Sequence, residues 1–112
     1  MENFKKVRVA SVGDISGERP VCADADGKEL AIFRRGGRYL ALASSCTHKG
    51  GPLCEGRVRD GVVICPWHNS GFKIDTGEAV EGPATVGVAT YAVEVHGDNL
   101  YVLLPDDKPG EK

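Results

Sequence analysis

Four residues whose side chains commonly bind metals lie in two short segments of the sequence. The segments read CTH at residues 46–48 and CPWH at residues 65–68, and sixteen residues lie between them. Structural zinc sites usually group like ligands, with two cysteines in one segment and two histidines in the other. Here each segment has one cysteine and one histidine, so the spacing favours a different kind of centre. The four candidate ligands are Cys46, His48, Cys65 and His68.

A [2Fe–2S] cluster with two unlike irons suits these mixed segments. The segments can hold such a cluster from opposite sides, with both cysteines on one iron and both histidines on the other. Replacing two thiolates by neutral imidazoles removes two negative charges, so an added electron is easier to accommodate in a low-dielectric pocket. The pattern therefore predicts an electron-transfer centre with a raised reduction potential.

Residues 46–84 resemble the cluster-binding region of soluble Rieske-type ferredoxins. They read CTHKGGPLCEGRVRDGVVICPWHNSGFKIDTGEAVEGPA. Such ferredoxins are the small electron carriers of multicomponent bacterial aromatic-ring dioxygenases, and the chain is similar to them in length and strand pattern throughout. The resemblance implies that Cys46 and Cys65 bind one iron of a [2Fe–2S] cluster. It also implies that His48 and His68 bind the other iron through ring nitrogens.

Residues beside these ligands are expected to shield the cluster. The run that begins at Lys49 contains Gly51, and glycines here let backbone N–H groups approach the sulfides. Trp67 lies inside the second segment, so its ring should cover a cluster sulfur near the tip of the protein and not join the core. The family has a third loop built on a Gly-Pro pair, which Gly82 and Pro83 match, and this loop should cover the remaining side.

Ser70 and Phe72 bear on the reduction potential. High-potential Rieske proteins carry a serine, at the position of Ser70, that donates to a bridging sulfide, and often a tyrosine where Phe72 stands. The resemblance implies that one of these two hydrogen-bond donors is present. The alternative is that Ser70 bonds only the backbone of its own turn.

Two positions that lack a cysteine distinguish the branches of the family. Quinol-oxidising Rieske proteins carry a disulfide between the two ligand segments, but the matching positions here are Gly51 and Trp67, which favours the soluble branch.

The two cysteines outside the ligand set are Cys22 and Cys54. They are expected to be small buried hydrophobic residues in a reducing compartment. A Cys22–Cys54 bond or a redox role are the alternatives.

The fold is predicted to be all-β, as an antiparallel sandwich or small barrel. Three hairpins are expected, at 29–43 around Gly36-Gly37, at 58–65 around Asp60-Gly61, and at 90–104 around Gly97-Asp98. The 112 residues suit a single Rieske domain, 1–112, with a cluster-binding subdomain at about 44–83 and a frayed tail at 106–112. His96 has no cysteine nearby and is expected to be a surface residue without a metal role.

Charge and motifs restrict the function. Fourteen basic and sixteen acidic residues give a net charge of −2, which disfavours nucleic-acid binding. No signal sequence or apolar membrane span is evident, so a cytoplasmic location is expected. Motifs for nicotinamide, flavin or nucleotide are also lacking, so no catalytic residue is predicted.

An electron carrier needs a donor and an acceptor. The resemblance implies a flavoprotein reductase that uses NADH as the donor and a terminal ring-hydroxylating oxygenase as the acceptor, with transient docking at the exposed edges of His48 and His68. Two alternatives remain open. One is the small Rieske-type subunit of an assimilatory nitrite reductase, and the other is a non-redox zinc-binding module.

Overall fold

A computed structural model describes residues 4–15, 19–45, 50–67 and 69–105, and within these ranges the chain is built almost wholly from β-strands. The strands are β1 Phe4–Ser11, β2 Val21–Ala25, β3 Lys28–Arg35, β4 Arg38–Ala43, β5 Arg57–Arg59 and β6 Val62–Ile64. They continue with β7 Gly71–Lys73, β8 Ala79–Glu81, β9 Thr90–Tyr91, β10 Val93–His96 and β11 Asn99–Pro105. Two single 3-10 turns, Val12–Asp14 and Leu53–Glu55, are the helical elements of these ranges. The all-β prediction is confirmed, whereas the predicted frayed tail at 106–112 lies outside the described residues.

The strands form three antiparallel sheets. Their orders are β1-β11-β10, β2-β3-β4-β9 and β5-β6-β7-β8. The three predicted hairpins are present as β3-β4, β5-β6 and β10-β11, each with a glycine at positive φ in its turn. The third is shorter than predicted, because Thr90–Tyr91 forms the separate strand β9, which pairs with β4 and not with β11. The third sheet lies between residues 57 and 81, inside the segment predicted to bind the cluster.

The sheet β2-β3-β4-β9, called the middle sheet from here on, has apolar residues on both faces. Strand β3 contains the run Leu30-Ala31-Ile32-Phe33, all of it buried. Leu30 and Ile32 pack with residues of β1 and β11, whereas Ala31 and Phe33 pack with residues of the third sheet. Successive side chains of a strand point to opposite faces, so one unbroken apolar run serves two cores.

Three short strands were not predicted from the sequence. They are β2, β7 and β8, of five, three and three residues. Strand β2 lies at a sheet edge and alternates partly buried and exposed residues up to the buried Ala25, and β8 has no buried residue. Their pairing depends on neighbours that are distant in sequence, so periodicity alone gave a weak signal.

The expectation that Cys22 and Cys54 are buried, unpaired hydrophobic residues is wrong. The structure joins them in a disulfide, with their Cα atoms 4.8 Å apart. Cys22 is exposed on edge strand β2, and Cys54 is buried in the 3-10 turn Leu53–Glu55. The turn packs on β2 and β3, and this contact brings together two residues that are 32 positions apart.

His96 lies on the surface, as predicted. Its side chain is half exposed, its Nε2 lies 2.9 Å from Glu94 Oε1, and its ring meets that of Tyr101 edge-on. None of the helical segments in the described ranges is long and apolar enough to cross a membrane.

Candidate metal centre

The segment with the first pair of predicted ligands is closed at its base by Ser44 and Ser45. We define residues 45–52 as the first arm. Ser45 forms an isolated β-bridge with Pro52, and the N–H of Leu53 donates to the Ser44 carbonyl at 2.7 Å. The fully buried Ser44 hydroxyl oxygen accepts the N–H of Cys54 at 3.0 Å. One serine thus satisfies two backbone donors where the chain leaves the arm.

The second pair of predicted ligands lies in the loop between β6 and β7. We define residues 65–70 as the second arm. The N–H of Cys65 donates to the Ser70 carbonyl at 2.8 Å, and the N–H of Asn69 donates to the Cys65 carbonyl at 3.1 Å. Asn69 has φ 63°, a left-handed conformation that asparagine tolerates better than most residues. The antiparallel pair Ile64 and Gly71 therefore continues directly into a tight loop.

Of the four predicted ligands, the structure describes Cys65. Cys46, His48 and His68, together with their neighbour Lys49, lie outside the described residues. The supporting residues Gly51, Trp67, Ser70 and Pro83 are all described.

The Cys65 sulfur lies where the two arms meet. The residue is only 1% exposed, and the Trp67 N–H lies 3.5 Å from its Sγ. A Cβ atom placed on Gly51 would be 2.6 Å from the same sulfur, so the backbone of the first arm reaches the ligand atom of the second. A buried sulfur that accepts a backbone N–H bond has the surroundings expected of a metal thiolate.

Gly51 and Trp67 are neighbours across the two arms. A Cβ on Gly51 would lie 3.0 Å from Trp67 Cγ. Trp67 itself is 51% exposed to solvent. The expectation that Trp67 is not a core residue is confirmed. These are also the positions at which the sequence lacks the interarm disulfide, and the indole ring packs on the glycine there.

A third loop is tied to the second arm through Ser70. Ser70 is fully buried, and its hydroxyl oxygen accepts the N–H of Ala84 at 3.0 Å. Ala84 follows the cis Gly82-Pro83 peptide, in which Pro83 is exposed. The hydroxyl therefore bonds a backbone group of another loop rather than one of its own turn. Accepting this bond uses a lone pair and leaves the hydroxyl hydrogen for a second partner.

Ser44 is the supporting residue that sequence reasoning missed. It directly follows β4 and precedes the first arm, but a serine next to a strand end has many uses. Its full burial and its contact with the turn Leu53–Glu55 appear only in three dimensions.

Comparison with known proteins decides the family. Residues 5–92 match the family described as the Rieske [2Fe-2S] domain. The chain belongs to this family. As a Rieske domain it carries one [2Fe–2S] cluster, and the described residues fit that group because Cys65 offers a buried sulfur at the junction of the arms.

Relatives of this Rieske chain include ferredoxin subunits of dioxygenases. The chain is 35% identical over 81 residues to the 3-phenylpropionate/cinnamic acid dioxygenase ferredoxin subunit of Escherichia coli K12, which covers 71% of this chain and 76% of the relative. It also resembles the solved ferredoxin of carbazole 1,9a-dioxygenase from Nocardioides aromaticivorans IC177. That match has a TM-score of 0.82 and 29% identity, and covers 88% of this chain and 96% of the other.

A further solved structure contains a similar Rieske chain together with an oxygenase. It is a complex of reduced oxygenase and oxidized ferredoxin in carbazole 1,9a-dioxygenase. The matched chain has a TM-score of 0.83 and 28% identity, with 95% of this chain and all of that one covered. This likeness extends beyond the ligand arms to nearly the whole fold.

Proposed function

We propose that this protein is the ferredoxin component of a ring-hydroxylating dioxygenase system. It takes single electrons from a flavoprotein NADH reductase and delivers them to a terminal oxygenase, and it is not itself an enzyme. The observation that carries the proposal is the meeting of Gly51, Cys65 Sγ and Trp67 at the junction of the arms. The dioxygenase ferredoxins among its relatives support the assignment of partners.

Four residues are proposed to hold the cluster: Cys46 and Cys65 on one iron, and His48 and His68 on the other. When bound, the [2Fe–2S] cluster accepts and donates one electron at a time. Lys49, Gly51, Trp67, Ser70 and Pro83 are proposed to surround it, and residues 44–83 to form the cluster-binding part of one domain spanning 1–112.

The described residues contribute shielding and support. Burial of Cys65 keeps water from its sulfur, and that sulfur accepts a hydrogen bond from the Trp67 N–H. Gly51 leaves the space that the sulfur occupies, since any larger residue would place a Cβ there. Ser70 holds the third loop against the second arm.

Partners are proposed to dock transiently at the tip that carries His48, His68 and Trp67. Trp67 is a large, half-exposed aromatic side chain next to a proposed ligand, and such residues are common anchors in interfaces. A carrier must leave each partner in turn, so a small interface is expected.

Metal and sulfide analysis tests the cofactor assignment. The isolated chain should contain two irons and two acid-labile sulfides, and it should lose its visible colour with dithionite. Cys65→Ser should abolish the cluster spectrum, whereas Cys22→Ser, at a cysteine on β2 outside the arms, should retain it. One zinc ion and no sulfide in the wild-type chain would contradict the proposal.

Electron delivery tests the assignment of partners. Trp67→Ala should slow transfer from a reductase and to an oxygenase in stopped-flow experiments while the iron and sulfide content is unchanged. Phe4→Ala is the matched control, because Phe4 is an aromatic residue of similar exposure in β1, outside the arms. Equal rates in both variants would move the docking site away from Trp67. A stable complex with a nitrite reductase on native purification would replace the dioxygenase assignment.

A further inference from the structure

We propose that the Cys22–Cys54 disulfide is a site of thiol–disulfide exchange, and that its reduction by a dithiol reductant loosens the base of the first arm. The inference rests on the proposed function only in that the first arm is taken to carry Cys46 and His48. The disulfide itself lies outside the proposed ligand set and joins two different parts of the fold.

The two cysteines of this bond differ in their exposure to solvent. Cys22 is exposed on β2, which is the edge strand of the middle sheet, whereas Cys54 is only 4% exposed. An incoming thiolate can therefore reach Cys22 Sγ, while Cys54 Sγ is placed to be the leaving group. Exchange depends on which sulfur is accessible, so this asymmetry gives the reaction one direction of attack.

The exchange is balanced with a dithiol as the reductant. One thiolate of the reductant attacks Cys22 Sγ, the S–S bond breaks, and Cys54 leaves as a thiolate that takes up a proton. The second thiol of the reductant then attacks the mixed disulfide and releases Cys22 as a thiol. The protein gains two electrons and two protons, and the reductant becomes a disulfide.

The buried end of the bond belongs to the base of the first arm. The Cys54 N–H donates to the Ser44 hydroxyl, the adjacent Leu53 N–H donates to the Ser44 carbonyl, and Ser45 bridges Pro52. With the disulfide intact, this base is covalently fixed to β2. After reduction, it is held by hydrogen bonds and by the packing of Leu53.

Glu29 lies beside the bond and should slow its reduction. Its carboxylate oxygen and the two sulfurs all lie within 4.8 Å of one another. A negative charge there opposes both the approach of a thiolate and the formation of the Cys54 thiolate. At this separation, unit charges at an exposed site change an equilibrium or a rate by about fivefold. We therefore expect Glu29→Gln to be reduced about fivefold faster than the wild type.

Thiol labelling of the intact cluster-loaded protein tests the site. Native alkylation followed by peptide mapping should leave Cys22 and Cys54 unlabelled in the purified protein and label both after treatment with dithiothreitol. Two results would overturn the proposal. One is that Cys22 and Cys54 are both alkylated without reductant and are not protected by mild oxidation. The other is that the disulfide is not reduced by dithiothreitol. Loss of iron and sulfide from the starting protein would instead count against the proposed function, so the two failures are distinguishable.

Amide hydrogen exchange tests the effect on the first arm. After reduction, the Leu53 and Cys54 amides should exchange about tenfold faster or more, while the amides of β11 change by a smaller factor. Cys22→Ser should show the fast exchange without reductant and no response to dithiothreitol; its exposed position makes the change tolerable to the fold. Equal exchange at Leu53 and Cys54 before and after reduction would overturn the proposed loosening.

Discussion

At the residue scale, the absence of a side chain at Gly51 decides how closely the two arms approach. The position of its missing Cβ lies 2.6 Å from Cys65 Sγ and 3.0 Å from Trp67 Cγ. The sulfur is buried and has no room to move aside, and the Trp67 backbone N–H is bonded to it. The glycine is therefore needed for space and not for an unusual backbone conformation.

Gly51→Ala should separate the arms. Overpacking a well-packed site typically costs about 1–3 kcal/mol, and here the displaced atom is a proposed cluster ligand. We expect a lower iron and sulfide content per chain, measured after purification, and a lower unfolding midpoint. Gly13→Ala is the control, because no atom lies within 4 Å of its missing Cβ and its φ is not positive. Full cluster content in Gly51→Ala would show that the two arms can move apart enough to accommodate the added methyl group without losing the cluster.

Ser70→Ala should lower the reduction potential. If the hydroxyl hydrogen donates to the cluster, losing a differential of about 1.4 kcal/mol corresponds to roughly 60 mV for one electron. Protein-film voltammetry would measure the shift. Ser44→Ala is the matched control, because Ser44 is also fully buried and its hydroxyl also accepts a backbone N–H. Equal potentials in Ser70→Ala and wild type would mean that the Ser70 hydroxyl only accepts the Ala84 N–H and does not donate to the cluster.

At the element scale, glycines at positive φ set the turns, but they differ in how crowded they are. Gly77 has φ +79°, and a Cβ there would lie 2.2 Å from the Val88 carbonyl oxygen. The Val88 N–H donates to the Gly77 carbonyl at 2.8 Å, so the β7-β8 turn packs directly on the segment that follows the third loop. Gly97 has φ +62° and no atom within 4 Å.

Gly77→Ala should therefore destabilise the fold more than Gly97→Ala. Both substitutions place alanine in a left-handed conformation, at a cost of about 1 kcal/mol, but only Gly77→Ala also drives a side chain into backbone. We expect a difference of about 2 kcal/mol or more between them in the free energy of unfolding, from urea titration. Equal losses would mean that the contact between Gly77 and Val88 relaxes freely.

A charged contact links β1 to the turn between β2 and β3. Lys5 Nζ donates to Asp26 Oδ2 at 2.6 Å, and this hydrogen bond, followed by the attraction of the Lys5 charge, lowers the pKa of Asp26 below its ordinary 3.8. A lowered pKa stabilises the folded state above 3.8, and this contribution is lost as the pH falls through the lowered value. Both side chains are about half exposed, so the effect is small and screened by salt.

Asp26→Asn should be slightly less stable than the wild type near neutral pH and equal to it in acid. Asparagine tolerates the positive φ of 56° at this position, so the backbone should not change. Urea unfolding at neutral pH and again well below pH 3.8 would show the convergence. A difference that persists in acid would assign the loss to the turn and not to the charge.

At the scale of the whole molecule, the middle sheet divides the protein into two cores. Leu42 packs with Cys65, Leu53 and other residues on the side of the arms, whereas Leu30 packs with Leu100 and its neighbours on the other side. Both leucines are fully buried. A change in the core on the side of the arms should therefore affect the cluster more than a change in the core that contains Leu30 and Leu100.

Leu42→Ala and Leu30→Ala separate stability from cluster retention. Each should lower the free energy of unfolding by about 2–5 kcal/mol, because each leaves a cavity in a close-packed core. Leu42→Ala should also speed the loss of cluster absorbance in the presence of an iron chelator, since Leu42 belongs to the same core as Cys65. The same rate of loss in both variants at matched stability would show that the two cores act as one.

The sequence by itself determined the chemistry and the local elements of this protein. Mixed Cys and His segments indicated a [2Fe–2S] centre, since ligand type and spacing are properties of the chain. The hairpins around Gly36-Gly37, Asp60-Gly61 and Gly97-Asp98 followed because a turn residue with positive φ acts within a few positions. The exposed Trp67 also followed from its place beside the predicted ligands.

The tertiary structure alone decided the contacts between distant segments. The Cys22–Cys54 bond, the Ser44 hydrogen bonds to the first arm and the Ser70 bond to Ala84 each join parts of the chain that no local pattern relates. Short edge strands such as β2 and β8 bury few of their residues, so their pairing depends on partners placed by the rest of the fold. Local propensity fixes which elements form, whereas packing fixes which of them meet.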